Sequence, residues 1–253
     1  MTAPEPDAES WRTVVVSPHF DDAALSLGGL LPLLPRPAVV VTVHGGAPPP
    51  GAETSWWDRE CGFSTAAEAH RVRVAEDAEA CALLGARPVP LDEPDGPYRD
   101  AERGFPSLVP LLRRASADAR VLLPLGTNQP DHARVRRECL RTLSGLPSGR
   151  RPAVSVYADL PYTGHLPGWG TEPGGRLEES LRASTDFGPA FRELSQTHRI
   201  GPVRLLRLDD GQWARKRAAV CCHASQLAAL GQGHGCFLSR EGPLHAEAVW
   251  PLL

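Results

Sequence analysis

Short apolar runs alternate with helical spacings along most of the 253-residue chain. Thr13 to Ser17 reads TVVVS and Ala38 to Val43 reads AVVVTV. Such unbroken β-branched runs predict strands buried on both faces. Further short strands are predicted at Pro88 to Leu91, Arg120 to Leu123, Ala153 to Tyr157 and Val203 to Leu208. Between them, apolar residues at helical spacing predict helices over Asp22 to Leu34, Thr65 to Leu84, Pro106 to Ala117 and Asp131 to Leu143. A last helix is predicted from about Gln212 to Leu230. Thr65 and Glu68 fit a capping box, and Gly85 fits a helix stop. This alternation predicts an α/β fold, a doubly wound and mostly parallel sheet in a single domain. Residues 1–10 are read as a disordered tail and residues 11–253 as the domain.

Two Gly- and Pro-rich stretches, His44 to Gly62 and Pro161 to Gly175, follow strands and are predicted as loops. In open α/β sheets such loops border the ligand crevice. Trp56, Trp57 and Trp169 lie in them, either as anchors or as surfaces for stacking a substrate. Gly28 and Gly29 fall inside the first predicted helix, where close packing against a strand is the simplest cause.

The formal net charge of −3, with no basic run, gives no nucleic-acid footprint. No segment has the length of a membrane span, and the N-terminus lacks the pattern of a secretory signal. The expectation is a cytoplasmic protein with no membrane partner. The six cysteines form no CxxC pair, which predicts reduced and mostly buried thiols.

The chemistry gathers at two strand ends. The first strand runs into Ser17-Pro18-His19-Phe20-Asp21-Asp22. His and Asp are ordinary zinc ligands, and adjacent aspartates suit a division in which one binds and the other handles protons. The second cluster, Gln129-Pro130-Asp131-His132, opens a helix after the strand at Arg120. For either cluster alone the structural reading wins, with the Asp pair or Asp131 serving only as a helix N-cap; together they shift the balance toward a site. If both strands flank the sheet's switch point, His132 can face His19 and Asp22. Three protein ligands and one open position make a catalytic zinc site. The donor set also accepts other divalent transition metals. His223 is read as a packed, hydrogen-bonded helix residue and His70 as solvated.

SPHFDD followed by LSLGG resembles the (P/A)HPDDE opening motif of the PIG-L/LmbE-like zinc N-deacetylases, and QPDHARVR resembles their HxDHxxV motif. RVRVAEDAEACALLGA, LDEPDGPYR, YADLPY and KRAAVCCHASQ are similar to further landmarks of that family, in the same order. The resemblance implies a Rossmann-like fold and zinc-dependent hydrolysis of an N-acyl group from an amino sugar or a related small metabolite, with secondary metabolism as a setting. It implies His19, Asp22 and His132 as metal ligands and Asp21 as general base. Asp131 would orient a nearby catalytic group, and Arg73 and Asp95 would contact the sugar.

Three positions depart from the family pattern. Phe20 replaces a Pro, Ala23 replaces a Glu, and Gln129 stands where the family has its oxyanion-stabilising His. Gln has an amide donor but no titratable proton. The expectation is a slower enzyme or a donor supplied elsewhere, with His44, His165 and His234 as candidates. The alternative is a binding protein that keeps the metal with little turnover.

Overall fold

The computed structural model describes residues 11–99, 104–171 and 175–253. The expected tail at residues 1–10 lies outside them. Seven strands form one sheet: β1 (Thr13–Ser17), β2 (Ala38–Thr42), β3 (Arg87–Pro90), β4 (Arg120–Pro124), β5 (Ala153–Tyr157), β6 (Arg204–Arg207) and β7 (Ala246–Pro251). Their order is β3-β2-β1-β4-β5-β7-β6. The first five run parallel, and β7 pairs antiparallel with both β5 and β6. The fold is therefore Rossmann-like α/β with a mixed edge. Val14, Val15, Val16, Val40 and Val41 are fully buried, as their unbroken run requires. The two prolines of β3 are tolerated because that strand is an edge.

The described helices are α1 (Asp22–Leu27), α2 (Trp56–Glu60), α3 (Ala66–Leu83), α4 (Leu108–Arg113), α5 (Pro130–Ser144), α6 (Gly175–Ala183), α7 (Gly188–Thr197), α8 (Asp210–Cys222) and α9 (Ala224–His234). Thr65 caps α3 through the Glu68 N–H, as expected. Several elements differ from the sequence pattern. The first helix stops at Leu27, not Leu34, and a 3-10 turn covers Leu31–Leu33. The cause lies outside the helix. A Cβ on Gly29 would sit 2.3 Å from Leu208 Cδ2, and one on Gly28 would sit 2.8 Å from Lys216 Cγ. The chain turns there to meet α8 and the end of β6 rather than the face of a strand. The predicted C-terminal helix is two helices that break at His223. The loop from His44 contains α2, and α4 is shorter than its apolar spacing predicts.

β7, α6 and α7 were not expected from the pattern. Glu247 sits fully buried within β7 and interrupts its apolar run. It is balanced by Lys216, also fully buried, at 2.8 Å. Leu177, Leu181, Phe191 and Leu194 bury the inner faces of α6 and α7. Among the described residues, no helix is long and apolar enough to cross a membrane.

Sheet topology positions the chemistry. β1 is the turning point of the order, with β2 on one side and β4 on the other. The crevice of such a sheet opens at the carboxyl ends of these strands. Residues following β1, β2, β4 and β5 therefore converge.

Candidate active site

His19 lies two residues past β1. The Ser17 hydroxyl donates to the His19 carbonyl (2.6 Å) and accepts the Ala23 N–H (3.1 Å), which fixes the turn. Asp22 opens α1 and accepts the His19 N–H at 2.8 Å. Asp21 occupies the N-cap position but makes no capping hydrogen bond. Asp131, in the first turn of α5, is engaged by Arg99 and lies 3.8 Å from His19 Nε2. Neither aspartate is spent as a helix cap.

The two sequence clusters meet. The His19 and His132 rings are 5.3 Å apart. Asp22 Oδ2 lies 3.3 Å from His19 Nδ1 and 3.2 Å from His132 Nε2. Tetrahedral zinc with ligand bonds of about 2.0–2.1 Å sets its ligand atoms about 3.3 Å apart. His19, Asp22 and His132 thus have the donor types and the spacing for one divalent transition-metal ion.

The outer nitrogen of each imidazole meets a carboxylate. His132 Nδ1 meets Asp159 Oδ1 at 2.9 Å, on the side of the ring away from the Asp22 oxygen that faces Nε2. The other Asp159 oxygen accepts the Gly126 N–H, the Thr127 N–H and the Thr127 hydroxyl, each at 2.8 Å. His19 Nε2 lies 3.3 Å from Asp95 Oδ1. Carboxylates behind ligating imidazoles fix the tautomer and raise ligand basicity. Burial works against charge on His132, but Asp22 and Asp159 outweigh it and lift its pKa to about 9. Asp22 is held far below the usual carboxylate range: burial opposes this, and His132 and His19 override it. Asp21 moves the other way, to about 6, through burial and then the charge of Asp22.

These residues floor a cavity of about 300 Å³. Its walls include Gln129 and Tyr162 on one side, Asp95 and Tyr98 on another, and Arg73, Trp56 and Trp57 toward α2 and α3. Arg73 pairs with Asp58 at 2.6 Å, while its Nε and Nη2 are buried without a hydrogen-bond partner. Asp58 also accepts the Tyr98 hydroxyl. Asp95 is engaged with His19 as well as facing the cavity.

Several sequence expectations change. Gln129 donates to the Tyr162 hydroxyl at 3.0 Å. His165 and His234 stack on each other with ring centroids 5.3 Å apart, and neither lines the cavity. His44 does line it, stacked on His19. Trp169 is buried and donates to the Pro243 carbonyl at 2.7 Å, so it is a core anchor, whereas Trp56 is 68% exposed at the cavity. His70 is not solvated: its Nε2 contacts the Gly45 carbonyl at 2.9 Å. His223 is buried at the break between α8 and α9, with neither ring nitrogen hydrogen-bonded. Of the cysteines only Cys81 and Cys139 are buried, and Cys236 is exposed. Asp159 and Tyr162 were not singled out by their surroundings in sequence. The one signal was their place in YADLPY, just past β5.

A His/Asp/His donor set beside a further carboxylate, at the switch point of a parallel sheet, suits an α/β hydrolase that could hold a divalent metal. The family comparison agrees. The family model for GlcNAc-PI de-N-acetylase (PIG-L) matches residues 14–143, just over half of the chain, and the chain belongs to that family. Among solved structures, it is similar to the A40926 pseudoaglycone deacetylase Dbv21, at 23% identity and TM-score 0.67, covering 96% of this chain and 98% of that one. The zinc-inhibited form of teicoplanin deacetylase Orf2 matches at 20% identity and TM-score 0.66, with the same coverage. The 4-carboxy-2-hydroxymuconate hydratase GalB from Pseudomonas putida matches at 18% identity and TM-score 0.55, covering 96% of each chain. A search of curated proteins found no significant match.

Proposed function

We propose that the chain is a zinc-dependent hydrolase that removes an N-acetyl or other N-acyl group from an amino sugar or related small metabolite of secondary metabolism. The observation that carries this reading is one carboxylate oxygen of Asp22 facing two imidazole nitrogens at 3.2 and 3.3 Å, with the Asp21 carboxyl beside it on the cavity floor. The fold alone does not choose the reaction, since it also serves a hydratase. The donor set and the neighbouring carboxylate support hydrolysis. Deacetylase activity in the similar structures Dbv21 and Orf2 is in keeping with it.

His19, Asp22 and His132 would hold the ion. Zinc, when bound, supplies Lewis acidity and brings the pKa of a coordinated water to about 7. Asp21 takes the proton of the attacking water on a carboxylate oxygen. It then returns that proton to the departing amine nitrogen, so a carboxylic acid and a free amine leave, and the acid gives its remaining proton to solvent at neutral pH. Burial, by raising the Asp21 pKa, makes the carboxylate basic enough for the first transfer and acidic enough for the second. Asp131 and Asp95 hold His19, and Asp159 holds His132. Arg73, on the cavity wall and paired with Asp58, and Asp95 would contact the sugar.

The test is amine release from a panel of N-acyl amino sugars, with and without chelator, alongside metal analysis. Wild type is expected to release amine and to stop when zinc is removed. Asp21→Asn should keep the metal and lose about 10²–10⁴ in turnover. A wild type that retains zinc yet hydrolyses nothing would favour the binding-protein alternative, which Gln129 and Ala23 raise.

A further inference from the structure

We propose that the Tyr162 hydroxyl donates the hydrogen bond that stabilises the acyl oxygen as it becomes an oxyanion, with Gln129 as the residue that positions it. This rests on the amide-hydrolase reading above. Gln129 occupies the place of the family's oxyanion donor, but its side-chain N–H points at the Tyr162 oxygen, 3.0 Å away. A phenol oxygen that accepts from Gln129 has its own O–H free to point elsewhere. The bond to Gln129 is the sole hydrogen bond of the Tyr162 side chain among the described residues, and both residues line the cavity with His132 and Asp21.

The ring is clamped. Its edge meets His132 on one side, with centroids 6.5 Å apart and planes at 77°. On the other side it packs on His234 at 5.1 Å and 73°. His234 is backed in turn by His165, with ring nitrogens 3.1 Å apart. The two histidines that looked like donors in the sequence instead brace the tyrosine. Burial and the nearby charges of Asp22 and Asp21 push the phenol up to about 12, against the opposing effect of Gln129, so it keeps its proton at neutral pH. Accepting the Gln129 N–H also polarises the O–H and strengthens it as a donor.

His44 does not compete for this role. Burial and the charge of His19 lower its pKa to about 4, so the ring is neutral and carries one proton. Nδ1 uses that proton on the Pro94 carbonyl at 3.0 Å, which leaves Nε2 without one to donate.

In the addition step the water oxygen bonds to the acyl carbon and its proton passes to Asp21. The C=O π pair moves onto oxygen, toward the Tyr162 O–H. On collapse that pair reforms C=O, the C–N bond breaks, and the amine nitrogen takes the proton from Asp21. Tyr162 keeps its own proton throughout.

The test compares zinc-loaded wild type with Tyr162→Phe, Gln129→Leu and the double variant Tyr162→Phe/Gln129→His. The measurements are kcat and KM for amine release. Calorimetry adds the binding of a methylphosphonamidate of glucosamine, a tetrahedral anion, and of glucosamine itself. Tyr162→Phe is expected to lower kcat about 10²–10³-fold with KM nearly unchanged. It should weaken the phosphonamidate by about the same factor and leave glucosamine binding alone. Gln129→Leu should lower kcat less, by about tenfold, because the phenol remains but loses its alignment. It also serves if Tyr162→Phe does not fold. Adding Gln129→His to Tyr162→Phe should recover much of the loss, which a merely structural tyrosine would not allow. Wild-type kcat and phosphonamidate affinity in Tyr162→Phe, or wild-type kcat in Gln129→Leu, would overturn the proposal. If wild type releases no amine, the hydrolase reading fails separately. The phosphonamidate then still decides: equal or absent binding in wild type and Tyr162→Phe overturns the role of Tyr162.

Discussion

At the scale of single residues, the site is a set of paired opposites in which burial and neighbouring charge push like groups apart. Asp21 and Asp22 are adjacent in sequence, yet one is driven up and the other down, so they are suited to different tasks. A third carboxyl, Asp77 on α3, lies beneath them, 3.5 Å from the Thr42 hydroxyl and 3.8 Å from Cys81. Burial, with a smaller push from Asp21, lifts it to about 7. In the unfolded chain the same group ionises near pH 4. Below that pH both states hold the proton and Asp77 does not oppose folding. As pH rises toward 7 the unfolded chain gives up its proton first, so stability falls, and above 7 the loss is complete. Asp77→Asn should therefore be the more stable protein at pH 8, by the order of 2–4 kcal/mol, with the advantage gone by pH 4. Urea unfolding at both pH values reads it, and a pH-independent difference would contradict the assignment. His19, Asp21, Asp22 and His132 were legible in sequence because each sits in a short polar cluster directly after a buried strand. Asp159 and Tyr162 were not, because their roles come from partners 27 and 33 residues away.

At the scale of elements, the parallel core followed from apolar runs, and two departures, the early end of α1 and the glutamate in β7, involve contacts between elements distant in sequence. The clearest is the knot behind the site. Lys216 on α8 meets Glu247 on β7, whose two oxygens accept the Gly29 and Leu30 N–H groups at 2.7 Å each. This ends α1 and explains both a lysine in a buried helix face and a glutamate in a buried strand. Burial tends to strip the proton from Lys216, and Glu247 opposes this. Lys216→Met leaves the carboxylate buried without its cation. It should destabilise the fold by about 3–5 kcal/mol, read as a fall in the urea midpoint. A midpoint within experimental error of wild type would show that the two backbone donors suffice. The helical spacing of residues 212–230 was real, but no periodicity marks the break at His223, where the chain turns so that α9 can bring Gln226 and Leu230 to the cavity.

At the scale of the whole molecule, strand order converts two separate stretches of sequence into one site. β1 and β4 are neighbours although about a hundred residues separate them, and β5 lies next to β4. Loops leaving the same edge of the sheet then bring His19, His132 and Asp159 together. The sequence offered this convergence on the condition that both strands flank the switch point, and the observed order meets that condition. The antiparallel end formed by β7 and β6 closes the sheet away from the cavity and carries the Glu247 anchor. Zinc stoichiometry by mass spectrometry, on purified wild type and His132→Ala after loading and exhaustive dialysis, tests the convergence most directly. Close to one zinc per chain in wild type and nearly none in the variant is the expected result. Equal zinc in both, or none in either, would contradict a centre built from the ends of β1 and β4.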